Sequence, residues 1–337
     1  MKNKLLFSLA LFAAALASAG AEPVTKNYAR TIPAPGMFRF RWYHGAICPA
    51  LDRSERIQVQ RYNEDTYVMR MNMDLHHEAP FMYLLMGNDR AILIDTGAMS
   101  DPKLYPLRAT VDALIAQWCD LRGKADLPLI VAFTSAEDLV QNQGYEQFKD
   151  RPNTTLVPKA LPELKKFYGV DAAWPGGLGK LDLGGRVLTV IPTPGAHIDG
   201  ITFYDPYNNF LYTGDFLFPG RIMISNEKDY AASIKRLKGV ADRFPVKWVM
   251  GGQIEMTNLP GVDYSRMTYY RPAERVLEMN PSVIAEAQEL STAMMFVAGA
   301  TARTDFIMMN KVGIGYRNIV RPAELGAPGT LAGAGLR

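Results

Sequence analysis

Histidine and cysteine are both scarce in this chain of 337 residues, which has four of the first (His44, His76, His77, His197) and two of the second (Cys48, Cys119). Two thiols exclude a disulfide-stapled scaffold, and their spacing carries no metal signature. They allow one bridge at most, or two free thiols, of which a buried one behaves as a small hydrophobe. An excess of one charge is also missing, since 37 Lys and Arg face 34 Asp and Glu for a formal net charge of +3. That balance gives no electrostatic footing for nucleic acid or an anionic membrane as partner. Hydrophobic residues make up 48% and charged residues 21%, the make-up of a folded chain with room for one large domain or two modest ones.

What is present begins with MKNKLLFSLALFAAALASAGAEP. Lys2 and Lys4 precede an apolar run from Leu5 to Leu16, and small residues offer cleavage after Ala19 or Ala21. This order predicts a secretory signal peptide over 1–21, hence a periplasmic or secreted protein. The apolar run falls short of the ~20 residues that span a bilayer, so no membrane anchor is expected after cleavage. Loss of Lys2 and Lys4 takes the formal charge from +3 to +1.

Along the rest, Thr66 to Met73 and Phe81 to Met86 read as strands, and GNDR turns into AILIDTG, a short strand ending on Asp95. Leu107 to Trp118 has helical apolar spacing, and Leu129 to Phe133 reads as a buried strand. Thr134 ends that strand and opens a polar stretch, SAEDLVQNQGYEQF, that predicts a short helix closing on Phe148. Two hairpins follow, turning at Gly184–Gly185 and at DPYNN. Residues 226–244 predict a helix, and VKWVMGG a strand ending in glycines. After Val320 the chain turns rich in Gly, Ala and Pro, and its last dozen residues are expected to be poorly ordered.

In this order and rough spacing, ILIDTG, the strand ending in Thr134, TPGAHIDGITFYD, LYTGDFLFPG and VMGGQIEM resemble the metallo-β-lactamase superfamily. The likeness runs over roughly 67–256. It implies an α+β fold, a four-layer αββα sandwich with its site at one edge of the sheets. The expected domain is 22–300, followed by a C-terminal extension over 301–337. The resemblance also implies two metal ions, usually zinc. Their holders are a His-x-His-x-Asp-His loop, a His after Pro-Gly, an Asp in Gly-Asp and a His after a Gly-rich strand end.

Only His197, displaced by the extra Ala196 after Thr193-Pro194-Gly195, and Asp215 answer to those positions, and the terminal histidine position is Gln253. Without gaps, the leading loop histidines fall on Ser135 and Glu137, and the Asp-His pair on Leu139 and Val140. One deletion aligns Asp138 with the loop aspartate but leaves Ala136 and Leu139 where histidines would flank it. Four histidines cannot fill the family's five positions, so no zinc and no other cofactor is expected. The alternative is one divalent cation, manganese, magnesium, calcium or weakly bound zinc, held by His197, Asp215, Glu137 and Asp138.

The residual pocket is expected to gather Asp95, Ser135, Glu137, Asp138, His197, Asp215 and Gln253. Asp95 reads as an acceptor for loop amides. Ser135 has no identifiable base to make it a nucleophile. His76 and His77, in NMDLHHEAP, lie where relatives carry a loop over the pocket mouth, with plain exposed loop histidines as the blander reading. The sequence thus reads as an exported, non-classical or catalytically inactive homologue that binds a small molecule or a protein in a residual cleft. The alternative is a hydrolase of esters, lactones, thioesters or amides at an altered, carboxylate-rich single-metal site. A scaffold without ligand is a third reading.

Overall fold

A computed structural model describes residues 25–30, 32–48 and 51–310, with the backbone of 319–320. The expected signal peptide and the end of the chain lie outside the described residues. Strands β1 (Ile57–Asn63), β2 (Thr66–Met71), β3 (Phe81–Met86), β4 (Ala91–Ile94), β5 (Leu129–Ala132) and β6 (Thr154–Leu156) pair in chain order. The first four are antiparallel. β4, β5 and β6 run parallel, which requires the crossover that α1 (Leu107–Arg122) supplies.

The second sheet is a meander of β7 (Gly179–Asp182), β8 (Val187–Pro192), β9 (Ile201–Asp205) and β10 (Phe210–Gly214). It is extended by β12 (Trp248–Gly251) and β13 (Glu278–Met279). β12 lies parallel to β10, and α4 (Glu227–Arg243) connects them. A smaller sheet joins β11 (Arg221–Ile224), β14 (Gly299–Ala302), β15 (Ile307–Asn310) and β16 (Ile319–Val320). Short helices α2 (Leu139–Asn142) and α3 (Leu161–Phe167) precede the second sheet, and α5 (Ser282–Met294) follows β13.

Burial explains the layering. β2 to β5 are buried at every position, as strands covered on both faces must be. Their core takes Leu107, Val111, Ile115 and Trp118 from α1. In the second sheet successive side chains alternate between two cores. Val190, Phe203, Tyr212 and Met250 join the core between the sheets, while Ile191, Tyr204, Leu211 and Val249 pack with α4 and α5. The result is the expected αββα sandwich.

Several details differ from expectation. The boundary at 300 falls inside β14, because β14 pairs with β15 and β16, and β15 with β11. α1 continues past Trp118 to Arg122, where Gly123 ends it at φ 64°, a conformation that glycine adopts without cost. Asn226 lies outside α4 as its cap, its side chain accepting from the Asp229 amide. Cys48 is exposed, Cys119 is buried, and both are free thiols.

Ahead of β1, the chain runs as a strap across one face of that strand. Gln60 Oε1 accepts from the Arg39 and Phe40 amides, and its Nε2 donates to the Phe40 carbonyl. Gln58 does the same with the Tyr43 amide and the Arg41 carbonyl. No helix among the described residues is long and apolar enough to cross a membrane.

Candidate functional site

The strand ends converge at one edge of the sandwich. β4 runs into Asp95 at φ 64°, a backbone state that Asp tolerates better than most residues. Its fully buried carboxylate accepts from the Thr134 amide at 2.7 Å and from the Thr134 hydroxyl at 3.1 Å. Burial pushes this carboxyl well above the ordinary range, and the two donors from Thr134 oppose the rise. The Thr134 carbonyl accepts from the Ile201 amide at 2.7 Å, and Gly252 donates to the Gly214 carbonyl at 2.7 Å. A Cβ on Gly214 would collide with Thr134 Oγ1, so this close approach of two strand ends requires glycine.

The turn after β5 is held in place by two side chains. Asp199 accepts from the Ser135 hydroxyl at 2.7 Å and from the Ala136 amide at 2.6 Å. Asn142 Nδ2 donates to the carbonyls of Ser135, Ala136 and Asp138. Ser135 is therefore buried and committed to Asp199, with no free hydroxyl for attack. Asp138 caps α2 by accepting from the Val140 amide through Oδ1 at 2.8 Å, which leaves Oδ2 for another partner.

His197 Nε2 lies 2.6 Å from Asp215 Oδ2, and its Nδ1 lies 3.7 Å from Glu137 Oε2. Asp138, His197 and Asp215 each offer one ligand atom, and all three atoms lie within 4.8 Å of one another. Burial, then the charge of Asp215, pushes Asp138 up to about 7. Burial disfavours the imidazolium of His197, but the hydrogen bond and charge of Asp215, with the charges of Asp138 and Asp199, raise it to about 9. Asp95 and Ser135 sit behind this cluster as supports, and exposed Glu137 flanks it. Gln253 is buried just past β12. Beside it, the missing side chain of Gly252 makes room for the Gln141 amide, both of whose polar atoms are buried without a partner.

His76 and His77 are half-buried, so the expectation of plain exposed loop histidines does not hold. Their rings lie tilted by 34° with centroids 4.7 Å apart, and burial, followed by His77 and Arg271, lowers His76 to about 4. The loop also delivers Glu78, which burial and Glu255 raise to about 7, and whose charge acts on Asp138. Glu78 and Asp199 are the two site residues that the sequence reading missed. Asp199 had a readable signal, two residues after His197 in TPGAHIDG, whereas nothing local marked Glu78.

Residues 133–277 match the family model described as the metallo-beta-lactamase superfamily. That segment belongs to the metallo-β-lactamase superfamily. No curated protein matches the chain. Among solved structures, a metallo-beta-lactamase from Pontibacter korlensis is similar at 14% identity, with 70% of this chain and 99% of that one covered and a TM-score of 0.43. A metallo-beta-lactamase from Erythrobacter litoralis, with beta mercaptoethanol in its active site, is similar at 14% over 72% and 99%, with a TM-score of 0.44. TMB-1 is similar at 13% over 72% and 100%, with a TM-score of 0.45. Identities of this order say nothing about substrate.

Members of that superfamily typically bind metals, so the donor set decides what this segment can take. One imidazole and two carboxylates within 4.8 Å fit a single divalent cation with a preference for oxygen ligands. They do not fit a dinuclear zinc centre. Its leading histidine positions hold Ser135 and Glu137, or Ala136 and Leu139 with one deletion, and its last holds Gln253.

Proposed function

We propose that this chain is an exported metallo-β-lactamase-superfamily protein whose remodelled site holds one divalent cation and hydrolyses an ester, lactone, thioester or amide. The observation that supports it most is the convergence of Asp138, His197 and Asp215 within 4.8 Å. Asp138 and Asp215 would hold the cation through carboxylate oxygens, and His197 through a ring nitrogen. A cation there would polarise a substrate carbonyl and lower the pKa of a bound water. The protein's own part is positional. Asp199 fixes the turn that carries Asp138, and the His197–Asp215 hydrogen bond stores one proton that must leave when a cation takes its place. Glu137, exposed beside Nδ1 of His197, is placed to accept a proton from water or substrate.

The His197–Asp215 contact of 2.6 Å also supports a second reading. It satisfies both groups without a metal, as a catalytically inactive homologue binding a small molecule or protein in the residual cleft would need. Metal analysis of protein purified without chelator, joined to thermal shifts with manganese, magnesium, calcium and zinc, separates the two. A shift with one of these ions that is lost in Asp215→Asn, together with hydrolysis of generic esters or lactones, is the expected result. Absence of both favours the metal-free reading. Export is tested by N-terminal sequencing, with a mature start at Gly20 or Glu22 expected and an intact Met1 against it.

A further inference from the structure

The opposite edge of the sandwich holds a cavity of about 1110 Å³ between the strap, β1 and the segments just before β10 and β12. Five cations line it, of which Lys26 is paired with Glu64 and Asp65, leaving four from different parts of the chain. Arg30 and Arg39 come from the strap side, Arg61 from β1, and Lys247 from the approach to β12. Among the described residues none of the four has a carboxylate within ion-pair distance. The one acidic lining residue, Glu64, is engaged by Lys26 at 3.3 Å and by Arg122 at 3.2 Å. Lys247 is half-buried, and its ammonium donates to the Tyr62 hydroxyl at 2.8 Å, a neutral partner that leaves its charge uncompensated. Like charges gathered around one cavity repel, and an anion seated between them removes that cost.

The remaining lining is apolar or aromatic. Met37 and Phe40 are 66% and 72% exposed, with Val59 and Tyr62 beside them. Large side chains left open next to unpaired cations suit a ligand with both a charged group and an apolar body. We propose that this cavity binds a small organic anion, a carboxylate, sulfonate or phosphate carried on an aromatic or aliphatic body. The site is separate from the Asp138–His197–Asp215 cluster. Tyr207 and Lys247 precede β10 and β12, whereas Asp215 and Gln253 follow them.

The test is calorimetric titration of the full chain with naphthalenesulfonate, with the uncharged naphthalenesulfonamide and inorganic phosphate as separate arms. The sulfonate is expected to bind about tenfold more tightly than the sulfonamide. Combining Arg39→Gln with Arg61→Gln, both exposed positions, is expected to weaken sulfonate binding about tenfold with Tm unchanged, while Asp215→Asn leaves it intact. Should that double variant unfold, Lys247→Gln carries the same expectation. Equal affinity for the sulfonamide, or sulfonate binding unchanged in the variants, overturns the proposal. Binding of phosphate without the sulfonate also overturns it, since the apolar body would then contribute nothing.

Discussion

The two ends of the parallel strands β10 and β12 are built from opposite charges. Past their last residues stand Asp138, Asp199, Asp215 and Glu137 around a single imidazole. Before their first residues stand Arg30, Arg39, Arg61 and Lys247 around a cavity. A formal net charge of +3 hides this separation entirely. Net charge describes solubility and long-range steering, whereas binding depends on where charges of one sign are left together. The ends also differ in how well their charges are satisfied beneath the surface. Under the basic end, Arg186 and Asp205 are fully buried and paired at 2.6 Å. Arg186 also donates to the carbonyls of Asp65 and Met86 and to the Thr66 hydroxyl. At the acidic end the carboxylates crowd one another and two are held above their ordinary range.

Breaking the comparison at its firmest point should give the largest effect. Arg186→Ala strands Asp205 in the core and is expected to destabilise the fold by about 3–5 kcal/mol, read by denaturant unfolding. Asp215→Asn should change stability by only about 1 kcal/mol, because losing the His197 ion pair is offset by relief of repulsion with Asp138. Comparable losses from the two substitutions would refute the contrast.

The next effect concerns the cation. At about one hundred times its dissociation constant, a divalent ion should stabilise the protein by ~2.7 kcal/mol, and Asp138→Asn or His197→Ala should abolish the gain. Thermal shifts that persist in both variants would place the ion elsewhere.

A pH series sharpens the acidic end further. His197 at about 9 lies above its reference of 6.5, and Asp138 at about 7 lies above 3.8. The folded state therefore holds more protons than the unfolded one, and stability from these groups falls as pH rises. The part from Asp138 is lost between about 4 and 7, and that from His197 between about 6.5 and 9. Metal affinity should run the other way, rising over the same range as the ligands deprotonate. Metal-free protein whose Tm is flat from pH 6 to pH 9, or no flatter in Asp215→Asn, would contradict the ion pair.

The smallest effect belongs to the strap. Gln60→Ala removes three hydrogen bonds and should cost about 1–2 kcal/mol, with earlier proteolysis ahead of β1. It should also weaken organic-anion binding through displacement of Arg39.

Much of the acidic end was legible in the sequence, because its residues sit at the ends of short apolar strands. Asp95 and Thr134 follow such strands and Gly214 ends one, and motif order alone brings them to one edge. Which of Glu137 and Asp138 turns inward was not legible, since neighbours on a turn differ only through contacts such as the Val140 cap and the Asn142 anchor. Glu78 and the whole basic end were invisible for a different reason. Their members lie far apart in the chain and meet only after the strap crosses β1. β11, β14 and α5 went unread as well; none carries a motif, and they declare themselves only by pairing and packing.

The strap has one further consequence, through Gln58 and Gln60. These residues stand two apart on one face of β1, and each offers the strap a donor and an acceptor, as a backbone amide would. The docking address is thus written on the receiving strand, in two letters. The segment adds apolar anchors of its own, since Phe38 packs on Tyr62 and Trp42 on Phe81. Substitutions at the exposed Arg39 and Arg41 should therefore leave its alignment unchanged, while exchanging the two glutamines for threonines would remove the polar contacts that set its register.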